Sequence, residues 1–373
     1  MKYLKYFPAA LAVLISLGCV SCGKSGNARL SIVALHDLSK VSNNSVLDLN
    51  AIVDRVEEIK LDTRSFAPTV GVITYFEETE KFFYIVSDNK DIYQYDKKGN
   101  FIRKIGSQGR STSSYSTLSG IGINRDGSLI NVYDSKTNKL LRYSETNQLR
   151  STDYPKFADT TLKVSSFVSY KDDDLIFYTS NNSLTMDLVR YTPSTKKMAV
   201  LSRHEREREW GEGYAGRVYS FGDRNNPMLY NYFNDTVYVL RDDRLIPHFL
   251  IETGRMKYEI DNYIFDANRN PRKEVSGSKI NITRIVKGER FVFINYRISG
   301  MMNSFPPELL AIYDSGNGHV IQHVLLEDKE TEYRSISGES TLFQGREHNS
   351  IIKIRYPYLT VNLNPVLIKY YLK

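Results

Sequence analysis

The sequence predicts an all-β protein, and three observations support this prediction. Aromatic residues make up 12% of the 373 residues, with 27 tyrosines and one tryptophan, and such side chains suit pleated, half-buried strands. A short motif, in which a tyrosine ends an apolar run before a polar turn, recurs along the chain. Helical periodicity is nearly absent, and the one candidate helix covers residues 256–265.

The recurring motif has a regular period. Its copies are IYQYD with Tyr95, LLRYS with Tyr143, LVRYT with Tyr191, VYVLR with Leu240, LAIYD with Tyr313 and LIKYY with Tyr370. The first four copies are spaced by 48, 48 and 49 residues, and insertions explain the longer steps that follow. Each copy lies among further β-rich runs, so that four strands form one unit. Four-stranded antiparallel units at this period predict a β-propeller, here with six blades.

The turns and the chain ends agree with this architecture. Gly99 and the pair Asp126-Gly127 lie where hairpins need a left-handed residue. In the first blade we expect Tyr95 to pack between blades, and residues 101–106 to form the outer strand. The sixth blade lacks an outer strand after Tyr370, and residues 55–62 (RVEEIKLD) can supply it. The N-terminal strand then closes the last blade and removes a free sheet edge.

The N-terminus resembles a targeting signal. Lys2 and Lys5 precede an apolar run at 7–17, which is too short to span a bilayer comfortably. The only two cysteines, Cys19 and Cys22, follow at once. We therefore predict three parts: a signal peptide at 1–21, a tether and lead-in at 22–50, and the six-bladed β-propeller at 51–373.

The two cysteines have several interpretations. The stretch VSCGKSGN resembles a bacterial lipoprotein signal, which implies lipidation of Cys22, with Cys19 as the alternative. An ordinary secretory signal with incidental cysteines remains open. A redox pair would need a folded βα frame, and zinc would need two more ligands nearby. Lipidation would tether the protein body to the membrane through its hydrocarbon chains.

Three segments together resemble a known family. They are the lead-in LDLNAIVDRVEEIKLDT, the first blade YQYDKKGNFIRKIGSQG and the ending NPVLIKYYLK. They are similar to the six-bladed β-propeller lipoproteins of Bacteroidota, a group related to NHL and TolB-like propellers. The resemblance covers residues 45–373 and implies a fold and a cell-envelope location, with no settled activity. The loop at 106–115 keeps Gly106, Gly109 and Tyr115, but the family's Pro-Gly-Glu core is replaced.

Charge and motifs exclude several functional classes. The net charge is +7, but the charges are scattered, and the densest stretch, at 203–210, alternates in sign. Nucleic-acid binding needs a one-signed patch or a known module. Neither a Gly-x-Ser-x-Gly nor a His-Glu-x-x-His motif occurs.

Metal sites are poorly supported as well. His319 and His323 lie on one predicted strand, about 13 Å apart at about 3.3 Å per residue. The loop at 266–277 matches the first EF-hand ligands, but Pro271 and Gly277 replace the required glycine and glutamate. We predict no metal and no cofactor.

Propeller enzymes generally work at the mouth of the central channel, with residues at the starts of the innermost strands. We expect the innermost strands to begin near a mostly hydroxyl-bearing set: Thr69, Thr117, Ser165, Arg217, Thr283 and Glu339. This set suits a glycan or a peptide, although small residues also simply fit a crowded axis. The ligand-binding candidates are Trp210, Tyr214, Arg217, Tyr115 and Glu339, because aromatic rings beside an arginine can stack on a sugar. Packing of Trp210 between blades is the structural alternative.

A Met-rich segment at 297–308 is a candidate partner surface through Met301, Met302 and Phe305, or it fills a gap between blades. Taken together, these features predict a non-catalytic binding or scaffold module, anchored by lipid to the outer membrane. Its partner would be a glycan, a peptide or an envelope protein. The alternative is a hydrolase or lyase that acts on carbohydrate or peptide. The residues after Cys22 lack an acidic run, which favours the periplasmic side over the cell surface.

Overall fold

The computed structural model describes most of the chain beyond the N-terminus. The described residues are 30–35, 45–48, 51–124, 126–171, 173–179, 186–203, 218–221, 227–231, 235–257, 279–299, 309–322, 324–327, 342–346, 349–356 and 364–373. They belong to one compact unit, Ser31–Lys373, apart from Leu30. None of the helical structure within these ranges is long and apolar enough to cross a membrane.

The strands follow one another in blade order. The chain starts with β1 (Ser31–Ala34), β2 (Ser45–Asp48) and β3 (Val53–Lys60). The first blade comprises β4 (Ile73–Glu78), β5 (Phe82–Ser87), β6 (Asp91–Asp96) and β7 (Phe101–Ile105). The second comprises β8 (Leu118–Ile123), β9 (Leu129–Asp134), β10 (Lys139–Ser144) and β11 (Leu149–Asp153), followed by a small hairpin of β12 (Lys156–Phe157) and β13 (Thr160–Thr161).

The remaining blades have the same plan. The third comprises β14 (Val164–Tyr170), β15 (Asp174–Thr179), β16 (Met186–Thr192) and β17 (Lys197–Arg203). The fourth comprises β18 (Val218–Phe221), β19 (Met228–Asn231), β20 (Thr236–Arg241) and β21 (Arg244–Glu252), before a 3-10 turn at Gly254–Met256. The fifth comprises β22 (Lys279–Lys287), β23 (Phe291–Ser299), β24 (Leu309–Asp314) and β25 (His319–Gln322), followed by β26 (Val324–Glu327). The sixth comprises β27 (Leu342–Gln344), β28 (Ser350–Arg355), β29 (Val366–Leu372) and β3.

The blades form a closed ring. The first strand of each blade contacts the first strands of the two neighbouring blades, in the cyclic order β4, β8, β14, β18, β22, β27 and back to β4. Pairing within each blade is antiparallel from the first strand outward. This confirms the predicted six-bladed β-propeller of four-stranded blades. The inner strands therefore surround a central channel, which has a mouth where they begin and an opposite face where they end.

The N-terminal strand closes the ring as predicted. β3 pairs antiparallel with β29 from Val53 opposite Leu372 to Lys60 opposite Val366. It is the outer strand of the sixth blade. The first and last parts of the chain thus share one sheet, which removes the edge that β29 would otherwise expose.

Two further N-terminal strands lie along the outer rim. β1 pairs in parallel with β21 at the edge of the fourth blade, and β2 pairs in parallel with β26 beside the fifth. Val33 of β1 is fully buried, while Ile32 beside it is 52% exposed. The lead-in therefore covers the outer edge of the fourth blade through β1, and the sequence predicted neither this pairing nor that of β2.

The hydrophobic core lies in the joints between blades. Tyr95 is fully buried together with Ile352 and Leu367 of the sixth blade, which confirms its predicted packing between blades. The equivalent residues of the other copies also pack against the preceding blade: Tyr143, Tyr191, Leu240, Tyr313 and Tyr370. The recurring motif is therefore the unit that joins one blade to the next.

The residue before each of these anchors often makes a polar contact with the following blade. Gln94 donates a hydrogen bond to the Glu145 carbonyl oxygen. Arg142 forms an ion pair with Asp173, and Arg190 forms one with Asp243. Lys369 reaches Glu78 of the first blade. Because this side chain points forward while the tyrosine points back, each of these four blades contacts both neighbours through two adjacent residues.

The first hairpin also agrees with the prediction. Gly99 has φ +86°, which side chains other than glycine rarely adopt, and its N–H donates to the Asp96 carbonyl oxygen. A β-carbon at Gly99 would overlap the Lys60 carbonyl oxygen. This glycine therefore shapes the hairpin and lets β3 of the sixth blade pass close by.

Candidate functional site

The partly exposed side chains of the inner strands are mostly polar. Among the inner strands whose side chains are described, these residues are Thr74, Tyr75, Glu77, Ser119, Ser165, Ser166, Val168, Ser169, Asn281, Thr283, Arg284, Lys287 and Gln344. Tyr75 and Val168 pack against the hydrophobic clusters between blades. Seven of the thirteen carry a hydroxyl group, and four of these hydroxyls donate to backbone carbonyl oxygens: those of Thr74, Tyr75, Ser119 and Ser165.

Two glycines shape the wall beside the second blade. The Tyr75 hydroxyl donates to the Ser119 carbonyl oxygen, across the joint from the first blade to the second. A β-carbon at Gly120 would lie 3.3 Å from the Tyr75 ring and 3.6 Å from the Phe167 ring. One at Gly122 would lie 2.9 Å from Phe167. The absence of side chains on this strand therefore allows aromatic rings from the first and third blades to approach from both sides.

An arginine lies over an aromatic ring on the other side of the channel. The guanidinium carbon of Arg284 is 4.1 Å from the centroid of the Phe343 ring, a cation–π distance. A bulge in the pairing between Ile282 and Arg284 turns this part of β22. Phe343 packs in turn against Phe76, with 5.5 Å between the ring centroids. Packing of the rings thus holds the guanidinium in place at the channel wall.

Charged groups at the opposite face belong to the ring closure. The Glu78 carboxylate accepts a hydrogen bond of 2.8 Å from Lys369 and also pairs with Lys97. Burial by itself would raise the pKa of Glu78, but the hydrogen bonds from Lys369 and Lys97 outweigh it and lower the pKa. Glu78 therefore stays ionised and joins the first blade to the sixth.

Side chains of β10 donate hydrogen bonds to backbone carbonyl oxygens of the loop at 106–116. The Lys139 ammonium is buried and donates to the carbonyl oxygens of Ser111 (3.0 Å) and Ser114 (2.5 Å). The Tyr143 hydroxyl donates to the Ser113 carbonyl oxygen at 2.8 Å, and burial raises the pKa of Tyr143 to about 12. The loop is therefore built around a buried cation, which its serine-rich sequence alone did not reveal.

Among the ligand-binding candidates, Tyr115 is the one within the described residues. Its ring is fully buried in the joint between the first two blades, and its hydroxyl donates to the Ile105 carbonyl oxygen. Burial raises its pKa well above the ordinary value of 10.0. In this position Tyr115 packs between blades.

The other candidates lie outside the described residues and stay predictions. They are Trp210, Tyr214, Arg217, Glu339, Met301, Met302, Phe305, Cys19 and Cys22. Of the expected strand starts, Ser165 and Thr283 lie within inner strands, Thr117 directly precedes β8, and Thr69 lies four residues before β4. Of the candidate helix at 256–265, residues 256 and 257 are described, and Met256 is the last residue of the 3-10 turn. Within the described part of the chain, no three His, Cys, Asp or Glu side chains are placed to hold a metal ion.

Six four-stranded blades, joined in a ring through their inner strands, define a β-propeller. The chain belongs to the family described as domain of unknown function DUF4934, whose model matches residues 35–322. A comparison with curated proteins finds no match.

Two solved structures share this fold. A protein of Bacteroides fragilis described as exported is 15% identical, with a TM-score of 0.65 over 92% of this chain and 99% of its own. A member of the DUF4221 family from Bacteroides vulgatus is 12% identical, with a TM-score of 0.57 over 86% of this chain and 97% of its own.

Proposed function

We propose that this protein is a non-catalytic binding or scaffold module of the bacterial cell envelope, which binds a polar ligand such as a glycan or a peptide in its central channel. The observation that carries the proposal is the channel wall, in which hydroxyl groups lie with the Arg284 guanidinium stacked on Phe343. Hydroxyls match the alternating donors and acceptors of sugars and peptides, and a guanidinium group donates charge-assisted hydrogen bonds to their oxygens.

The location is part of the same proposal. The exported description of the Bacteroides fragilis neighbour supports an address outside the cytoplasm. The N-terminal sequence supports lipidation at Cys22, attachment to the outer membrane and a periplasmic orientation. Labelling with a radioactive fatty acid tests the anchor: the wild type should incorporate label and Cys22→Ala should not. External protease should leave the propeller intact, and its release from intact cells would contradict the periplasmic orientation.

A binding screen tests the channel. The purified full chain is applied to glycan and peptide arrays, and hits are measured by titration with Arg284→Met, which keeps the apolar stem but removes the charge. We expect affinity to fall about tenfold, as for loss of one charge-assisted hydrogen bond. Arg355→Met is the matched control, because Arg355 pairs with Glu58 of the outer strand β3 in the sixth blade. Equal affinity in all three proteins would overturn the channel site.

Trp210→Ala and Arg217→Ala extend the same screen to the channel mouth. If these residues contribute to the site, both variants should weaken binding of the same hits while their thermal midpoints stay close to that of the wild type. Unchanged binding in both would restrict the proposal to the channel wall.

A further inference from the structure

The hairpin between β20 and β21 carries two acids that face the third blade and two arginines that face the fifth blade. Its sequence is Arg241-Asp242-Asp243-Arg244. Asp243 lies 2.5 Å from Arg190 and Asp242 lies 3.6 Å from Lys171, both in the third blade. Asp242 and Asp243 have φ of +48° and +60°, where glycine or asparagine would be more comfortable. The two acids therefore adopt the left-handed backbone conformation that this turn requires, and they pair with cations of the third blade.

The two arginines of the hairpin face the other way. Arg241 and Arg244 lie directly opposite each other in the strand pairing, on the same side of the sheet as Val239 and Phe249. That side packs against the fifth blade, because Val239 and Phe249 share a cluster with Ile285. Both arginines are exposed, and no carboxylate among the described residues forms an ion pair with either. Like charges placed directly opposite destabilise a strand pair.

The fifth blade adds a third cation at this joint. Lys287 ends β22 and lies on the same strand face as Ile285, which packs against the fourth blade. Lys287 occupies the repeat position of Glu78, because each pairs with the second residue of the next strand, Val292 and Phe83. At the ring closure this position holds an acid that faces Lys369. At the joint between the fourth and fifth blades, the position of Glu78 is occupied by the half-buried Lys287. The position of Lys369 is occupied by Val239.

A histidine completes the group. His248 lies on β21, one residue before Phe249, with its side chain only partly covered. This partial burial of the imidazole, followed by the positive charges of Lys287 and Arg241, lowers the pKa of His248. The Lys287 Nζ donates to the Gly288 carbonyl oxygen at 3.1 Å. Burial lowers the pKa of Lys287, and the negative charge of Glu289 offsets this only in part. Positive charge is therefore concentrated at this joint.

We propose that Arg241, Arg244, His248 and Lys287 form a phosphate-binding site in the joint between the fourth and fifth blades, on the face opposite the channel mouth. Two guanidinium groups and an ammonium supply the charge-assisted hydrogen bonds that a phosphate group accepts, and guanidinium matches its geometry. A bound phosphate removes the repulsion between Arg241 and Arg244. The site takes either free phosphate or the phosphate of a lipid headgroup, and it is independent of the channel.

Calorimetric titration of the purified full chain with inorganic phosphate at low salt tests the site. We expect one phosphate per chain, bound about tenfold more weakly in Arg241→Gln and in Arg244→Gln, since each removes a charge-assisted hydrogen bond. Lys98→Gln is the matched control, because it removes one positive charge from the corresponding hairpin of the first blade, and its affinity should be unchanged. If Lys98→Gln weakens phosphate binding as much as the arginine variants do, the loss of affinity follows from net charge alone, and the proposed site is overturned.

Two measurements separate a binding role from a structural one. Phosphate should raise the pKa of His248, followed by the NMR shifts of its imidazole ring, because a nearby anion favours the charged form. Without phosphate, Arg244→Gln should keep or raise the thermal midpoint, since the like-charge pair is relieved. A lowered midpoint together with an unmoved His248 pKa would show that the cluster serves stability, against the proposal.

Vesicles distinguish the two sources of phosphate. The full chain is mixed with phosphatidylcholine vesicles that contain phosphatidic acid, and sedimentation of wild type and Arg241→Gln is compared. Weaker sedimentation of the variant supports the headgroup, whereas binding of inorganic phosphate without sedimentation supports the free ion. If neither inorganic phosphate nor the vesicles distinguish the variant from the wild type, the proposal is overturned.

Discussion

The Lys369 ammonium lies 2.8 Å from the Glu78 carboxylate and joins the last blade to the first. Both side chains are almost fully buried, with 3% and 1% exposed. We predict that Glu78→Gln lowers the free energy of unfolding by about 3 kcal/mol, because it leaves a buried ammonium uncompensated. Denaturant unfolding followed by tyrosine fluorescence measures the change.

The control for this pair is on the surface of the same blade. Glu58→Gln breaks the exposed pair with Arg355 and should cost less than about 1 kcal/mol. The double variant Glu78→Leu with Lys369→Met should recover much of the loss, since an apolar pair can replace a buried ion pair. A loss in the double variant as large as the sum of the single losses would contradict the coupling.

The same carboxylate predicts an effect of pH. The pKa of Glu78 is lower in the folded protein than its ordinary value of 4.5, so ionised Glu78 stabilises the fold above that value. This contribution is lost as the pH falls through the lowered pKa. The difference in thermal midpoint between wild type and Glu78→Gln should therefore shrink from pH 6 to pH 3. A constant difference over this range would show that ionisation of Glu78 is not its source.

A pair of glycine variants separates backbone strain from steric overlap. Gly99 and Gly318 both have positive φ, +86° and +74°, in equivalent hairpins of the first and fifth blades. A β-carbon at Gly99 overlaps the Lys60 carbonyl oxygen, whereas at Gly318 nothing lies within 4 Å. Gly318→Ala should cost about 1 kcal/mol from strain alone. Gly99→Ala should cost about 3 kcal/mol, since overpacking adds to the strain. Equal shifts in thermal midpoint would remove the steric role of Gly99.

Neighbouring residues of β1 test whether the lead-in belongs to the fold. Val33 is fully buried and Ile32 is 52% exposed. Val33→Ala should cost about 2 kcal/mol from lost burial and a cavity, and Ile32→Ala should change stability by less than about 0.5 kcal/mol. Chemical denaturation of both variants measures this. If both variants match the wild type, β1 does not contribute to the stability of the fourth blade.

The blades could be predicted because each joint between neighbouring blades is filled by the same position of the recurring motif. Tyr95 and Tyr143 fill equivalent joints, so the period of the motif is visible without coordinates. The closing strand could also be predicted, because the sixth blade lacked an outer strand and residues 55–62 precede the first complete blade. Short parallel strands such as β1 carry no such signal, since four residues have no measurable period.

The channel wall was only partly predictable. The expected hydroxyls occur, but the stacking of Arg284 on Phe343 joins residues from different blades that are far apart in sequence. A bulge such as that between Ile282 and Arg284 shifts which residues face the channel, and it has no strong sequence signature. The family motif includes a tyrosine at position 115, but the burial of Tyr115 arises from packing between the first and second blades, which the motif does not show.

The pairing of β3 with β29 makes closure of the ring depend on the last strand that is synthesised. The first strands to leave the ribosome must wait for partners made much later: β1 for β21, β2 for β26, and β3 for β29 near the C-terminus. Native contacts between such distant segments slow folding, and unpaired strand edges favour aggregation in the interval. A premature stop codon before β29 would therefore leave β3 without its partner and the ring unclosed.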